Sequence, residues 1–315
     1  MVKSDKLYGR CRSYEMLFAC NRGAVDPAMA AKAKLRFPGL SVLPWYLVVL
    51  IALAGCADGS SLPTSQRVTE SVAASASAPL NFVVIGDSIP YNSPDDCPNC
   101  TGFVDRYGKA IGESLQRPVM TSNLSEHTGL TLAGLLAELP SLESQLAEAD
   151  VILVGIAHNS IALNSDMPCG ATFDESTNQL SDWSKVNARC AKTAAETSRP
   201  QFDQLFSRLV DLRAGKPTIF LTVNKYSDWI GWQAAHLTAD QQKRTVLQHD
   251  VWNTMLCDVA EANHFDCVDI YHAFNGPHGT KAAGDLLAAD YTHPSDKGNA
   301  LIAKLLVARG YAPLG

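Results

Sequence analysis

The stretch NFVVIGDSIPY, residues 81–91, is the part of the sequence that decides the fold class. Its apolar residues end at Gly86, and a hydroxyl follows almost at once at Ser88. A short apolar run bounded by glycine is typical of a buried strand. Glycine adopts backbone angles that other residues avoid, so Gly86 predicts a sharp turn. We therefore expect a buried strand that presents Ser88 at its carboxyl end.

Apolar runs alternate with helical patterns along the rest of the chain. The sequence predicts strands at 118–124, 151–156, 217–226 and 267–274, and helices at 101–116, 131–148, 200–214, 238–263 and 296–309. Such alternation indicates an α/β domain, here residues 80–315, with a parallel sheet of about five strands covered by helices on both faces. Ligands of these sheets bind beyond the carboxyl ends of the strands, which is where Ser88 is placed.

The distribution of charge limits the classes of partner. The chain of 315 residues has a net charge of −6, although Lys and Arg outnumber Asp and Glu in residues 1–55. The remainder is therefore more acidic than the whole and contains no basic cluster. Nucleic acid is not expected as a partner.

The N-terminal region predicts export. An apolar run at 39–56 follows Lys32, Lys34 and Arg36 and ends in Leu-Ala-Gly-Cys56. It is shorter than the roughly 20 residues that span a membrane and is typical of a signal peptide. Its end resembles the lipobox of bacterial lipoproteins, which implies cleavage before Cys56 and lipid attachment to that residue. A plain secretory signal or an anchor helix are the alternatives.

These observations divide the N-terminal part of the chain. Residues 1–28 fit no part of a signal peptide, so translation is predicted to begin at Met29, with a lipoprotein signal peptide at 29–55. Residues 56–79 are small and polar and predict a flexible linker between the lipid and the domain. The expected location is the cell envelope, with the protein anchored to a membrane; a secreted protein is the alternative.

Six cysteines follow Cys56, and an even number in an exported protein indicates disulfides. Proximity in sequence favours Cys97–Cys100, Cys169–Cys190 and Cys257–Cys267, although other pairings stay open. Cys97-Pro-Asn-Cys100 could also be a redox pair or half a zinc site. The pair Cys169–Cys190 would close a polar stretch at 160–195, which is long enough to be a functional loop.

A base for Ser88 is found near the C-terminus, in DYTHPSDKG at 290–298. A serine hydroxyl is a weak nucleophile until a base takes its proton. Asp290 precedes His293 by three residues, so its carboxylate can accept a hydrogen bond from one imidazole nitrogen while the other nitrogen faces Ser88. The sequence predicts a catalytic triad of Ser88, His293 and Asp290.

These two motifs resemble the first and last blocks of the SGNH, or GDSL, hydrolase family. The first block is an apolar strand ending in Gly-Asp-Ser, at 82–88, and the last is Asp-x-x-His-Pro, at 290–294. The resemblance covers nearly all of residues 80–310. It implies a three-layer αβα sandwich with a flavodoxin-like sheet, and hydrolysis of acyl esters through an acyl-enzyme without cofactor or metal.

The two middle blocks of the family supply oxyanion donors. The resemblance implies the backbone N–H of Gly129, in SNLSEHTGLT, and the side-chain amide of Asn159, in VGIAHNS, beside the N–H of Ser88. The third block departs from the family pattern, because Asn159 lies further from Gly155 than usual and lacks the Asp that normally follows. His158, next to it, is expected to pack rather than act as a base.

No other catalytic motif competes with this interpretation. Gly-x-Ser-x-Gly, His-Glu-x-x-His and a Walker loop are absent from the sequence. No metal-ligand spacing is found among His236, His249, His264, His272 and His278.

The functional hypothesis is an exported serine esterase or lipase that acts on a lipid or an acylated glycan. The alternative is a non-catalytic envelope protein that kept the fold to bind glycan or lipid, and only the altered third block supports it. Tyr226, Trp229 and Trp232 follow the fourth strand, where they either line a substrate groove or pack the loop.

Overall fold

The computed structural model describes residues 78–160, 173–174, 179–180, 182–232 and 236–315. The predicted signal peptide at 29–55, the lipidation site Cys56, the start at Met29 and most of the linker lie outside these residues, as does Cys169. None of the helices in the described ranges combines the length and apolar character that a membrane span needs.

The described residues form strands and helices that alternate through most of the chain. The strands are β1 (Leu80–Gly86), β2 (Val119–Asn123), β3 (Val151–Gly155), β4 (Phe173–Asp174), β5 (Gln179–Leu180), β6 (Ile219–Val223) and β7 (Asp266–Val268). The α-helices are α1 (Ser88–Tyr91), α2 (Phe103–Leu115), α3 (Leu132–Leu146), α4 (Ala188–Leu212), α5 (Ala239–Ala262), α6 (Ile270–Asn275) and α7 (Asp296–Val307).

Five of the strands form one parallel sheet in the order β2-β1-β3-β6-β7. Alternate residues of β1 point to opposite faces of this sheet, as the pleat of a strand requires. Val83 and Ile85 pack with α3, α4 and α5, whereas Phe82 and Val84 pack with α2 and α7. The predicted three-layer αβα sandwich with a five-stranded parallel sheet is therefore confirmed. Strands β4 and β5 form a separate antiparallel pair.

The predicted strand at 267–274 is wrong in its second half, because the chain becomes helical at Ile270. The Asp269 side chain accepts a hydrogen bond from the N–H of His272, as an N-cap residue does. Asn224, which follows β6, accepts from the N–H groups of Ile270 and Tyr271. These side-chain acceptors satisfy the first turn of α6 and end β7 at Val268.

Helix α4 begins twelve residues before the predicted start at 200, because the polar segment ahead of Pro200 is helical. Asn187 is its N-cap, and its side chain accepts from the N–H groups of Arg189 and Cys190. Pro200 lies inside the helix. Helices α5 and α7 begin as predicted, at the capping box of Thr238 with Gln241 and at the Ser295 cap.

Gly86 is required for a different reason from the one that the sequence suggested. It is the last residue of β1, opposite Gly155 of β3, and its φ lies outside the left-handed region. A Cβ on Gly86 would overlap the carbonyl group of Gly155 and lie 2.8 Å from Cγ of Pro90. Glycine at this position allows β3 and the Pro90 ring to approach the backbone of β1.

We expect Gly86→Ala to lower the free energy of unfolding by about 1–3 kcal/mol, because the added methyl group meets backbone that cannot move freely. Urea unfolding measures this. Gly134→Ala in α3 is the matched control, since its Cβ would meet only the end of the flexible Leu130 side chain, and alanine favours a helix by about 0.5–1 kcal/mol. Equal unfolding midpoints for Gly86→Ala and the wild type would contradict this account.

Candidate active site

Ser88 lies at the carboxyl end of β1, as the first residue of the short helix α1. The N-cap of α1 is Asp87, whose side chain accepts from the N–H of Ile89 at 3.0 Å. Asn92 ends the helix in the left-handed conformation, with φ 57°. The side chain of Ser88 is thus set on a rigid turn, and the residue is 7% exposed.

The structure brings the three predicted triad residues together across the chain. Oγ of Ser88 is 2.9 Å from Nε2 of His293, which lies 205 positions further on. Nδ1 of His293 is 2.5 Å from Oδ2 of Asp290. The other oxygen, Oδ1 of Asp290, accepts from the N–H groups of Thr292 and His293 at 3.0 and 3.1 Å. The carboxylate therefore fixes both the local backbone and the orientation of the imidazole ring.

The charges around His293 favour its protonated form. Burial alone would lower the pKa of His293, but the hydrogen bond and charge of Asp290, with the charges of Asp96 and Asp87, raise it above its ordinary value. Burial alone would raise the pKa of Asp290, yet the hydrogen bonds from His293 and Thr292 hold it below its usual range. An imidazolium formed at His293 is stabilised by these carboxylates.

The segment behind the triad is held by Tyr226, which follows β6. Its hydroxyl donates to the carbonyl of Thr292 at 2.6 Å, and its ring stacks on Phe274 with centroids 4.4 Å apart. Tyr226 is fully buried, so the idea that it lines a substrate groove is wrong. Trp229 contacts Trp183 and Trp232 edge to face, and these three rings are partly exposed.

The two predicted oxyanion segments are tied to each other. Nδ2 of Asn159 donates to the carbonyl of Leu130, the residue after Gly129, at 3.2 Å. Oγ of Ser160 accepts from the N–H of Leu132 at 2.8 Å. Gly129 has φ 78°, a conformation that favours glycine. Among the described residues, none accepts a hydrogen bond from the N–H of Ser88 or of Gly129, so both donors remain available to a ligand.

Asp87 connects the nucleophile turn to the segment that carries Asn159. Its carboxylate accepts from the N–H groups of Ala157 and His158 at 3.2 and 3.0 Å, in addition to Ile89. Asp87 is 1% exposed, and burial raises its pKa despite these three donors and the nearby charge of buried Lys225. From the sequence, Asp87 was predicted only as part of the Gly-Asp-Ser motif. An acid next to the nucleophile, at the end of a buried strand, was the signal for this role.

His158 is a packed residue, as expected. Burial, with the charge of Lys225, lowers its pKa well below the ordinary value, so the ring is neutral. The ring lies 4.5 Å from that of Tyr226.

Two further residues at the site, Asp96 and His127, were missed by sequence reasoning. Oδ2 of Asp96 is 3.4 Å from Nε2 of His293 and 2.8 Å from Nε2 of His127. Asp96 belongs to none of the motifs, and His127 lies in the segment SNLSEHTGLT, from which only Gly129 was predicted to act. The only local signal was the Cys97–Cys100 pair, which closes the turn directly after Asp96.

The structure contains the disulfides Cys97–Cys100 and Cys257–Cys267, two of the three pairs that proximity in sequence favours. Cys190 is also disulfide-bonded. Its proposed partner, Cys169, lies outside the described residues.

Comparison with known proteins agrees with this geometry. The model of the GDSL-like lipase/acylhydrolase family matches residues 84–301. The chain belongs to this family. As a member of the GDSL-like family it is an ester hydrolase, and the resemblance that its first and last motifs suggested is confirmed. No curated protein matches the chain by sequence.

Two solved structures of lipases show the same fold. The lipase Lip_vut3 from a goat rumen metagenome is 20% identical, with a TM-score of 0.57, and the match covers 75% of this chain and all of that one. An extracellular lipase from Streptomyces rimosus is 17% identical, with a TM-score of 0.50, over 74% of this chain and all of that one. At these identities the likeness concerns the fold.

We expect Asp87→Asn to lower both stability and kcat. The amide keeps the shape but cannot accept from all three N–H groups, which costs about 1–3 kcal/mol for a buried donor left unpaired. Release of Ala157 and His158 moves Asn159 and lowers kcat more than it changes KM. Urea unfolding and steady-state kinetics measure the two effects.

Asp182→Asn is the matched control for this variant. Asp182 also accepts from a backbone N–H two residues on, that of Ser184, but at an exposed site, so we expect a change within about 0.5 kcal/mol. An Asp87→Asn protein with wild-type stability and kcat would show that the carboxylate does not position the segment.

Proposed function

We propose that the protein is an exported, lipid-anchored serine esterase that works through an acyl-enzyme formed on Ser88. The observation that carries this proposal is the continuous set of contacts from Oγ of Ser88 through His293 to Asp290. Family membership supports the reaction class, and the contacts among the three side chains support the roles proposed for them.

In the first half of the reaction, Nε2 of His293 takes the proton of Ser88 while Oγ bonds to the ester carbonyl carbon. The π electrons of the carbonyl move onto its oxygen, which the N–H groups of Ser88 and Gly129 and the amide of Asn159 stabilise. Collapse of this intermediate breaks the bond to the alcohol, and His293 gives its proton to the departing oxygen.

In the second half, water replaces the alcohol. His293 takes a proton from water, whose oxygen attacks the acyl carbon, and the second intermediate expels Ser88, which recovers its proton from His293. The products are the free acid and the alcohol. Asp290 stays ionised throughout and stabilises the imidazolium.

Export and anchoring are part of the proposal because of the sequence ahead of the domain. The apolar run at 39–56 with its terminal Leu-Ala-Gly-Cys56 supports a lipoprotein signal peptide, and the disulfides are typical of an oxidising compartment. At a membrane surface, acylated lipids and acylated glycans are the esters within reach. A series of p-nitrophenyl esters of increasing chain length, run beside acetylated xylan and peptidoglycan, identifies the class.

The non-catalytic alternative has no specific support from the site. It rested on the unusual spacing of the third block, and that block's Asn159 is held against the segment that carries Gly129. A site evolved only for binding would have no need of the Ser88–His293–Asp290 contacts.

The test of the proposal uses purified protein with p-nitrophenyl acetate and butyrate, and with a fluorophosphonate probe. We expect hydrolysis of at least one ester and labelling of Ser88, and we expect Ser88→Ala to lose both, because the acyl-enzyme is proposed to form on the oxygen of Ser88. Labelling that persists in Ser88→Ala, or a correctly folded wild type that neither hydrolyses nor reacts, would refute the proposal.

Asn159→Ala tests the oxyanion role separately. Loss of one donor typically lowers kcat by about 10²–10³-fold, equivalent to roughly 2.7–4 kcal/mol. Ser160→Ala is the matched control, since it removes a hydrogen bond to the same segment without removing a donor to the oxyanion; we expect it to affect stability more than kcat. Similar kcat values for the two variants would remove Asn159 from the oxyanion site.

A further inference from the structure

Three potential metal ligands meet beside the nucleophile. They are a carboxylate oxygen of Asp96 and one ring nitrogen each of His127 and His293, all within 4.8 Å of one another. Oδ2 of Asp96 lies between the two rings, 2.8 Å from Nε2 of His127 and 3.4 Å from Nε2 of His293. The mechanism above uses only His293 of these three residues.

Each ligand is held by its own anchor. The N–H of Asp96 donates to the carbonyl of Ser93 at 3.2 Å, and the turn that follows is closed by the Cys97–Cys100 bond. His127 follows Glu126, whose N–H donates to the carbonyl of Gly86 at 3.0 Å. The ring of His127 also packs on Tyr91, with centroids 5.5 Å apart. Because these contacts hold the backbone at both positions, little backbone freedom is lost when the site binds an ion.

The donor set fits a divalent ion of the Zn²⁺ type. Two imidazole nitrogens and one carboxylate oxygen, with a fourth position left open, are a combination that zinc accepts. Zinc bonds of about 2.0–2.2 Å in a tetrahedral site place neighbouring ligand atoms roughly 3.3–3.5 Å apart. The distance of 3.4 Å from Asp96 to His293 already fits, the distance of 2.8 Å to His127 must lengthen, and the two ring nitrogens lie within 4.8 Å of each other, so rotations of the side chains would complete the set.

The site is open to solvent on one side. The side chain of His127 is 40% exposed, whereas those of Asp96 and His293 are 16% and 11% exposed. A hydrated ion can therefore reach the ligands without any movement of the backbone. The carboxylates of Asp96 and Asp290 make the surroundings favourable for a cation.

Metal binding would affect catalysis because the metal site and the catalytic triad share one nitrogen atom of His293. Nε2 of His293 is the atom that accepts the proton of Ser88, at 2.9 Å. One lone pair cannot bind a metal ion and accept a proton at the same time. We propose that a Zn²⁺-type ion binds Asp96, His127 and His293 and switches hydrolysis off. The metal site stands on geometry alone, whereas the inhibition rests on the proposed function.

The test measures inhibition and binding independently on purified protein. Zinc chloride is expected to inhibit hydrolysis of p-nitrophenyl acetate, and EDTA to restore it. Asp96→Asn and His127→Gln are each expected to need more than about tenfold more zinc for half-inhibition, measured against the variant's own metal-free rate. Binding is followed in Ser88→Ala by the visible absorption of Co²⁺, which is intense in a tetrahedral site.

The chain offers a matched control in a second Asp-x-x-His pair. His272 lies 2.6 Å from Asp269, but among the described residues this pair belongs to no group of three potential ligands. His272→Gln should therefore keep the zinc sensitivity of the wild type. This result would show that loss of an exposed histidine elsewhere does not by itself reduce inhibition by zinc.

The outcomes separate the two proposals. Asp96- and His127-dependent Co²⁺ binding in a protein that hydrolyses no ester would refute the esterase and support the metal site. Active enzyme that zinc does not inhibit, or inhibition that Asp96→Asn and His127→Gln leave unchanged, would overturn the inference. The absence of Co²⁺ absorption in Ser88→Ala would overturn it as well.

Discussion

The close approach of β1 and β3 at two facing glycines is the constraint on which the rest of the site depends. Without side chains at Gly86 and Gly155, the Pro90 ring fits against both strands, and the N–H of Asp87 reaches the carbonyl of Gly155 at 3.0 Å. The chain can then enter α1 directly, with Ser88 at its first position. The groups proposed to act on the ester carbonyl are arranged around this turn.

Much of the fold was predictable because its signals are local. An apolar run such as 81–86 and a capping box such as Thr238 with Gln241 carry their meaning within a few residues. The predictions that were wrong concern elements whose bounds depend on side chains outside the predicted segment. The run at 267–274 is mostly apolar, and its second half becomes a helix because Asp269 and Asn224, the latter more than forty residues away, accept hydrogen bonds from the first turn. The helix predicted at 200–214 begins earlier, because the side chain of Asn187 caps it.

The residues of the site also differ in whether a local sequence signal predicts them. Ser88, Asp290 and His293 were predictable because each lies in a short motif, and the parallel sheet brings its carboxyl-end loops to one edge. Asp96 and His127 were not, since they lie in loops whose paths are set by a disulfide and by a backbone contact to Gly86. Asp87 is an intermediate case. The residue itself belongs to a recognisable motif, but its role could not be predicted because its three hydrogen-bond donors come from two separate segments.

The carboxylates that surround His293 also affect what happens after turnover. In the proposed reaction, a neutral ester becomes an acid that ionises at neutral pH, and the new anion forms beside His293, which Asp96 and Asp290 contact. Like charges repel, and the low exposure of the site weakens screening by salt. In the proposed reaction, this electrostatic setting therefore favours the uncharged ester over the acidic product.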